Sequence, residues 1–179
     1  MLPEALVGYC AGLWIGPLVC ALLVRRMTTR LRSAAMPDKP RLPPFAPALR
    51  TQIDVERFWT TVMRPLGWSR VSLWLAFAGT DGVVLPFLEE LADVPDLSVR
   101  ATTDAYCERF AAIARSRPIV GRFVLLYSRP GEGRPTERDR ETMRTLGDGL
   151  RRHGVPHAVL HIATDTGIYP MAGDDVLAA

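Results

Sequence analysis

Apolar residues recur at intervals of three and four in three stretches of the chain, the spacing of one face of a helix. These apolar positions are Val55, Phe58, Trp59, Val62 and Met63 in the first stretch, Tyr106, Phe110 and Ile113 in the second, and Met143, Leu146 and Leu150 in the third. Proline or glycine follows each stretch and is expected to end a helix there. We therefore predict three helices, the first capped by Asp54 and the second opened by Thr103.

Residues 71–77 instead alternate with a period of two, which is typical of a strand. The turn-forming residues 79–82 follow and lead into a second strand at 83–87, which makes a hairpin. Shorter β-rich runs predict further strands at 123–127, 159–162 and 168–171. The order helix, hairpin, helix, strand, helix, strand predicts an α/β or α+β sandwich in which helices cover a mixed sheet.

An apolar run precedes these elements. Residues 5–24 are twenty residues without a charge, and twenty residues are about the length that a helix needs to cross a membrane. Four arginines follow within 25–32. Because positive charge tends to stay in the cytoplasm, this pattern predicts a transmembrane anchor at 1–26 with a cytoplasmic domain after it. The alternative is that translation starts at Met27, which would make the protein cytoplasmic and remove the anchor.

Three glycines within the apolar run suggest a role in self-association. Gly8, Gly12 and Gly16 lie on one face of the predicted helix at a spacing of four. Small residues at this spacing let two membrane helices approach closely. A homodimer through this stripe is therefore one expected partnership.

Length and composition indicate one folded domain. A chain of 179 residues, 48% hydrophobic and 23% charged, can bury a single core. Prolines and arginines dominate residues 27–50, so we predict a stiff linker there and one α/β domain at 51–179. The three cysteines show no CxxC spacing and imply neither a disulfide framework nor a zinc cage.

Residues 126–139 carry the most distinctive motif of the chain. They read Leu-Tyr-Ser-Arg-Pro-Gly-Glu-Gly-Arg-Pro-Thr-Glu-Arg-Asp and lead from a hydrophobic strand into a helix. The segment resembles the metal-binding stretch of RadC-like proteins in the JAB/MPN superfamily, His-x-His-Pro-Ser-Gly followed by Pro-Ser-x-x-Asp. The resemblance extends from the hairpin at 71–87 to Gly154-Val155 and His161. It implies the three-layer, deaminase-like or JAB-like sandwich of that family.

The same segment departs from the family pattern at the metal ligands. Tyr127 and Arg129 stand where the family has its two zinc-binding histidines, and the expected glutamate falls near Arg70. Only Asp139 matches a family ligand, whereas a zinc hydrolase needs three protein ligands and a base. The resemblance therefore implies a metal-free relative with no catalytic residues and no cofactor, which acts as a binding or scaffolding domain.

Asp139 also has a structural interpretation, which we favour. Thr136-x-x-Asp139 is a capping-box arrangement, with Thr136 at the N-cap and Asp139 at the third helical position. A negative charge there is stabilised by the helix dipole.

The loop around this motif has the composition of an anion site. Between residues 115 and 152 there are ten arginines against five acids. Guanidinium groups, loop amides and a helix N-terminus together suit a phosphate. The candidate residues are Arg129, Gly131, Gly133, Arg134, Thr136 and Arg138. This pattern leaves open a soluble nucleotide- or nucleic-acid-binding factor or enzyme that uses loop 129–138, or simply a solvated surface of exposed arginines that contribute little to stability.

Two further patterns are interpreted as structural. His153, His157 and His161 are spaced by four, but on a strand this spacing separates neighbours by roughly 13 Å, too far for one metal ion. We therefore expect surface or hydrogen-bonded core histidines. Asp165-Thr166-Gly167 matches the aspartic-protease triplet, yet few residues follow it, so we predict a turn.

Overall fold

The computed structural model describes residues 46–171. The helices are α1 (Gln52–Val62), α2 (Arg100–Ser116) and α3 (Glu137–Arg152), and the strands are β1 (Ser72–Gly79), β2 (Val84–Ala92), β3 (Val120–Ser128), β4 (Leu160–Ala163) and β5 (Ile168–Met171). The predicted transmembrane anchor and its glycine stripe lie outside the described residues. Within 46–171, no helix has both the length and the apolar character that a membrane span requires.

The five strands form one mixed sheet in the order β2-β1-β3-β4-β5. Strand β1 pairs antiparallel with both β2 and β3, β3 pairs parallel with β4, and β4 pairs antiparallel with β5. The predicted α+β class with helices and a mixed sheet is confirmed.

Helices lie on both faces of the sheet. Alternate residues of the central strands point to opposite sides, and both sets are apolar, so each face packs against helices. Leu73, Leu75 and Phe123 face one way and pack in one cluster with residues of α2 and α3. Ala76 and Val124 face the other way and pack in a second cluster that includes residues of α1. Two helices thus cover one face and one helix covers the other.

The start of α1 differs from the prediction. Thr51 is the N-cap, and its hydroxyl accepts a hydrogen bond from the backbone N–H of Asp54 at 3.2 Å. Asp54 is the third helical residue and completes a capping box by accepting from the backbone N–H of Thr51 at 2.8 Å. The N-cap is therefore three residues earlier than predicted, and the sequence alone does not separate the two positions because threonine and aspartate are both good caps.

Strand β2 is longer than the predicted 83–87. Its second half continues to Ala92, which pairs with Ser72 of β1. The two glutamates at 89 and 90 break the apolar pattern, but an edge strand tolerates charged residues because one side is solvated.

The last residues of the predicted linker belong to the folded part. Leu49 is fully buried, and its backbone N–H donates to the carbonyl of Gly82 at 2.8 Å. The carbonyl of Pro47 accepts from the N–H of Val84 at 3.0 Å. Residues 47–49 thus run beside the start of β2 and lead into α1.

Candidate functional site

The candidate site lies where the parallel strands β3 and β4 end. Strand β3 leads through residues 129–136 into α3, and β4 leads through 164–167 into β5. The carboxyl ends of parallel strands meet at one edge of a sheet, which is a common place for ligand sites in open sheets. The two loops start side by side there: the backbone N–H of Arg129, just after β3, donates to the carbonyl of Ala163 at the end of β4 at 3.1 Å.

A bidentate ion pair between Arg129 and Asp139 occupies the centre of this region. Nε of Arg129 donates to Oδ1 of Asp139 at 2.8 Å, and Nη2 donates to Oδ2 at 2.8 Å. Nη1 of Arg129 donates to the carbonyl of Pro130 at 3.0 Å. The side chains are only 17% and 6% exposed, respectively. Arg129 is therefore a partly buried, fixed side chain, which corrects the expectation of an exposed loop arginine.

The charges of this pair stabilise each other. Burial by itself would raise the pKa of Asp139, but hydrogen bonds from Arg129 and Thr136 outweigh it and hold the pKa below its usual range. The hydrogen bonds to Asp139 likewise raise the pKa of Arg129. Burial, followed by the nearby charges of Asp139 and Asp96, raises the pKa of the Tyr127 phenol. Tyr127 is thus kept neutral beside a charged pair.

Asp139 also caps α3, as the sequence predicts. Its Oδ2 accepts from the backbone N–H of Thr136 at 2.7 Å, and the hydroxyl of Thr136 accepts from the backbone N–H of Asp139 at 3.3 Å. This is the predicted capping box, with Thr136 at the N-cap. One carboxylate therefore serves both the helix end and the ion pair.

Asp165 joins three loops. Its Oδ1 accepts from the backbone N–H of Trp68 at 2.8 Å, and its Oδ2 accepts from the backbone N–H of Gly131 at 2.8 Å. The hydroxyl of Thr166 accepts from the backbone N–H of Gly133 at 3.1 Å. Both glycines have positive φ, of +102° and +92°, which explains why glycine occupies them. Residues 165–167 form the connection between β4 and β5, in agreement with the predicted turn.

We expect Asp165→Ala to lower the free energy of unfolding by about 2 kcal/mol, because two backbone N–H groups lose their acceptor. Chemical denaturation measures this loss. Glu132→Ala is the matched control, since Glu132 is an exposed carboxylate in the neighbouring loop, and it should change stability by less than about 0.5 kcal/mol. Equal effects of the two substitutions would show that the three loops are held together by other contacts.

The structure gives most of the predicted anion-binding groups a partner within the chain. Arg129 pairs with Asp139, and Arg138 pairs with Asp96 at 2.9 Å. The amides of the two loop glycines and the cap residue Thr136 are engaged as described above. Arg134 is exposed, and no ion pair or hydrogen bond of its side chain occurs within residues 46–171. An anion at this loop would therefore meet one available guanidinium rather than three.

Ion pairs also reduce the positive charge that the ten arginines between residues 115 and 152 would otherwise present. Arg152 pairs with Asp104 of α2 at 2.6 Å, and Arg140 pairs with Glu137 at 3.3 Å. Residues 46–171 together hold sixteen arginines and fifteen acids. The domain is close to neutral, and most of the net charge of +3 comes from residues outside it.

His161, which the sequence predicts to be a surface or a hydrogen-bonded core residue, lies in the core. It is fully buried in β4, and Nδ1 donates to the carbonyl of Val159 at 2.9 Å. Because a carbonyl only accepts, the proton is on Nδ1, and the Nε2 lone pair has no hydrogen-bond partner among the described residues. Burial lowers the pKa of His161 to about 4. The prediction of a hydrogen-bonded core histidine is confirmed for this residue.

The donor set near Asp139 does not fit a zinc ion. Tyr127 is held neutral, Arg129 is a cation, and the described part of the chain contains no group of three His, Cys, Asp or Glu residues placed to hold a metal. Catalytic zinc requires three protein ligands. No family model, curated protein or solved structure matches the chain.

Proposed function

We propose that residues 51–179 form a metal-free, RadC/JAB-like domain that acts by binding or scaffolding rather than by catalysis. The ion pair between Arg129 and Asp139 carries this proposal. The carboxylate that matches the family's zinc ligand has both oxygens bound by a guanidinium of its own chain. A fixed internal cation at this carboxylate takes the place of a metal ion in balancing its charge.

The fold is consistent with the proposal. The order helix, hairpin, helix, strand, helix, strand, strand and the helices on both faces of a mixed sheet agree with the three-layer sandwich that the resemblance implies. Segment 126–139 lies at the strand-to-helix junction between β3 and α3, which is the context expected for the motif. These observations support the fold of the family. The zinc ligands on which the family's hydrolytic activity depends are replaced here by Tyr127 and Arg129.

Protein purified without chelator is expected to contain far less than one equivalent of zinc. The reason is that Arg129 repels a cation and Asp139 is already paired. Elemental analysis measures the content, and thermal unfolding with and without EDTA should give the same midpoint, because no metal contributes to folding. Stoichiometric zinc, or a lower midpoint in EDTA, would overturn the assignment as metal-free.

The proposal includes a membrane tether at residues 5–24, with the domain in the cytoplasm. The charge-free run and the arginines that follow it support this part. The intact chain is expected to stay in the pellet after alkaline carbonate extraction, and the same chain started at Met27 is the matched control that should be extracted. Recovery of the intact chain in the soluble fraction would contradict the tether.

A further inference from the structure

One end of the sheet is formed where β1 turns into β2 and where β3 begins. Gly79 at the end of β1 pairs with Val120 at the start of β3, and the N–H of Gly82 donates to the carbonyl of Gly79 at 2.9 Å. The candidate site described above lies at the opposite end, where β3 and β4 end. We call the region formed by three segments the basic end: residues 46–50, 79–83 and 115–122.

The described chain also begins at the basic end. Ala48 forms an isolated bridge with Val83, and the N–H of Leu49 donates to the carbonyl of Gly82 at 2.8 Å. The side chain of Arg50 passes close to the same turn, because its Cγ would lie 3.5 Å from a Cβ at Gly82. The residues before Ala46 therefore join the domain on this side.

Arginines are in excess at the basic end. Its three segments contain four arginines and one acid, Asp81. Asp54 of α1, which accepts from the backbone N–H of Arg50 at 3.1 Å, adds a second acid. Arg50 and Arg115 are exposed and Arg122 is half-buried, and within residues 46–171 none of these three guanidinium groups has an ion pair or hydrogen bond. Unbalanced positive charge thus remains on this surface.

The segment that leads into the basic end carries charge of the same sign. Residues 25–45 contain five arginines and one lysine against one aspartate. The eight residues after Met171 contain two acids, which are too few to balance this excess. The rest of the chain therefore does not supply the counter-charge, and a partner with negative charge is favoured.

An exposed apolar side chain lies among these arginines. Ile119 is 64% exposed and is the most exposed of the large hydrophobic residues within 46–171. It lies between Arg117 and Arg122 in the connection from α2 to β3. A nucleic-acid backbone is bound by charged and polar groups, whereas the surface of a bilayer accepts an apolar side chain together with basic ones. The combination favours an anionic lipid surface over nucleic acid.

We propose that the basic end docks on an anionic lipid bilayer, with Ile119 in the headgroup region and the arginines against the lipid anions. The inference rests on the membrane tether proposed above and names the part of the domain that faces the bilayer. A tether at 5–24 joins the domain on the side of the basic end. It therefore raises the effective concentration of lipid at this surface.

The test measures backbone hydrogen exchange by mass spectrometry on the full chain, in vesicles formed around it by removal of detergent. The vesicles contain phosphatidylcholine alone or with about one third phosphatidylserine. We expect phosphatidylserine to slow exchange of the amides in 116–119 at least about fivefold, because one basic residue near an anionic surface adds about fivefold to binding. Added salt should remove this protection. Residues 64–70, before the start of β1 at the opposite end, should exchange equally in both vesicles.

Charge substitutions locate the contact. Arg50→Gln combined with Arg115→Gln should remove most of the protection that phosphatidylserine gives, because two of the lipid-facing cations are lost. Arg64→Gln combined with Arg100→Gln is the matched control. It removes the same charge from two exposed arginines outside the basic end, one after α1 and one at the start of α2, and should leave the protection unchanged.

A second pair of substitutions tests the apolar contact. Ile119→Ser should weaken the protection, since the serine has no apolar surface to place in the headgroup region. Val99→Ser is the matched control, because Val99 is also an exposed apolar residue, 49% accessible, but lies at the start of α2.

Three results would overturn the proposal: equal exchange of 116–119 in the two vesicles, equal protection of 64–70, or equal effects of the two arginine pairs. An oligonucleotide that binds the detergent-solubilised chain through Arg50 and Arg115, without any protection by lipid, would assign the basic end to nucleic acid instead. Carbonate extraction tests the tether by itself. A chain found in the soluble fraction overturns the tether, while exchange at 116–119 still decides the docking.

Discussion

Replacing Asp139 by alanine is expected to lower the free energy of unfolding by about 3 to 5 kcal/mol. The substitution leaves the Arg129 guanidinium partly buried without its carboxylate, and it removes one half of the capping box at α3. Breaking a buried pair from one side costs more than the pair contributes, because the remaining charge has lost its solvent as well as its partner. Urea denaturation monitored by circular dichroism measures the loss.

Two comparisons separate the ion pair from other effects. Asp148→Ala removes the partner of Arg151 in an exposed pair on the same helix and should cost less than about 0.5 kcal/mol. Arg129→Met combined with Asp139→Leu removes both charges and should recover more than half of the loss, since no buried charge remains. If the double substitution is as unstable as Asp139→Ala, the loss comes from the cap rather than from the unpaired arginine.

The fold should also lose about 3 kcal/mol of stability between neutral pH and about pH 4 because of His161. Its pKa is about 4 in the fold and 6.5 as the reference value, and each pKa unit is worth about 1.4 kcal/mol. In this window the unfolded chain binds a proton at His161 and the folded chain does not. Stability from this residue is therefore complete above pH 6.5 and is lost as the pH falls through the folded pKa.

Urea midpoints measured from about pH 7 to about pH 4.5 test the role of His161. His161→Leu should flatten the profile in this range, because the titrating group is gone. His157→Leu is the matched control, since His157 makes the same kind of contact, from Nδ1 to the carbonyl of Val155, but is only partly buried. Carboxylates with lowered pKa values, such as Asp139, change the stability mainly below about pH 3.8, the usual pKa of an aspartate, and this lies outside the range measured. A profile that stays steep in His161→Leu would assign the acid sensitivity to another group.

The sequence was sufficient to predict the elements of the domain because their signals are local. Each helix has an apolar stripe at a spacing of three and four, and the hairpin has a glycine-rich turn. The capping box at Thr136 and Asp139 was predictable for the same reason, as its two residues are three positions apart. The end of β2 was missed because its last residues are held by pairing with β1 rather than by their own pattern.

The site was less predictable because its contacts join distant parts of the chain. The position of Arg129 depends on how loop 129–136 folds back to α3, so an arginine that looks exposed in the sequence is only 17% exposed. Asp165 contacts Trp68 and Gly131, which are 97 and 34 residues away. A composition rich in arginine and glycine indicates an anion site only if those groups lack internal partners, and pairing is decided by tertiary structure.

The position of Asp165 also has a kinetic consequence. Its hydrogen bonds with Trp68 and Gly131 can form only after the sheet has brought three separate loops together, so we expect them to form late in folding. An interaction absent from the folding transition state leaves the folding rate almost unchanged and slows unfolding instead. This single carboxylate therefore helps to set how long the folded domain persists, more than how fast it forms.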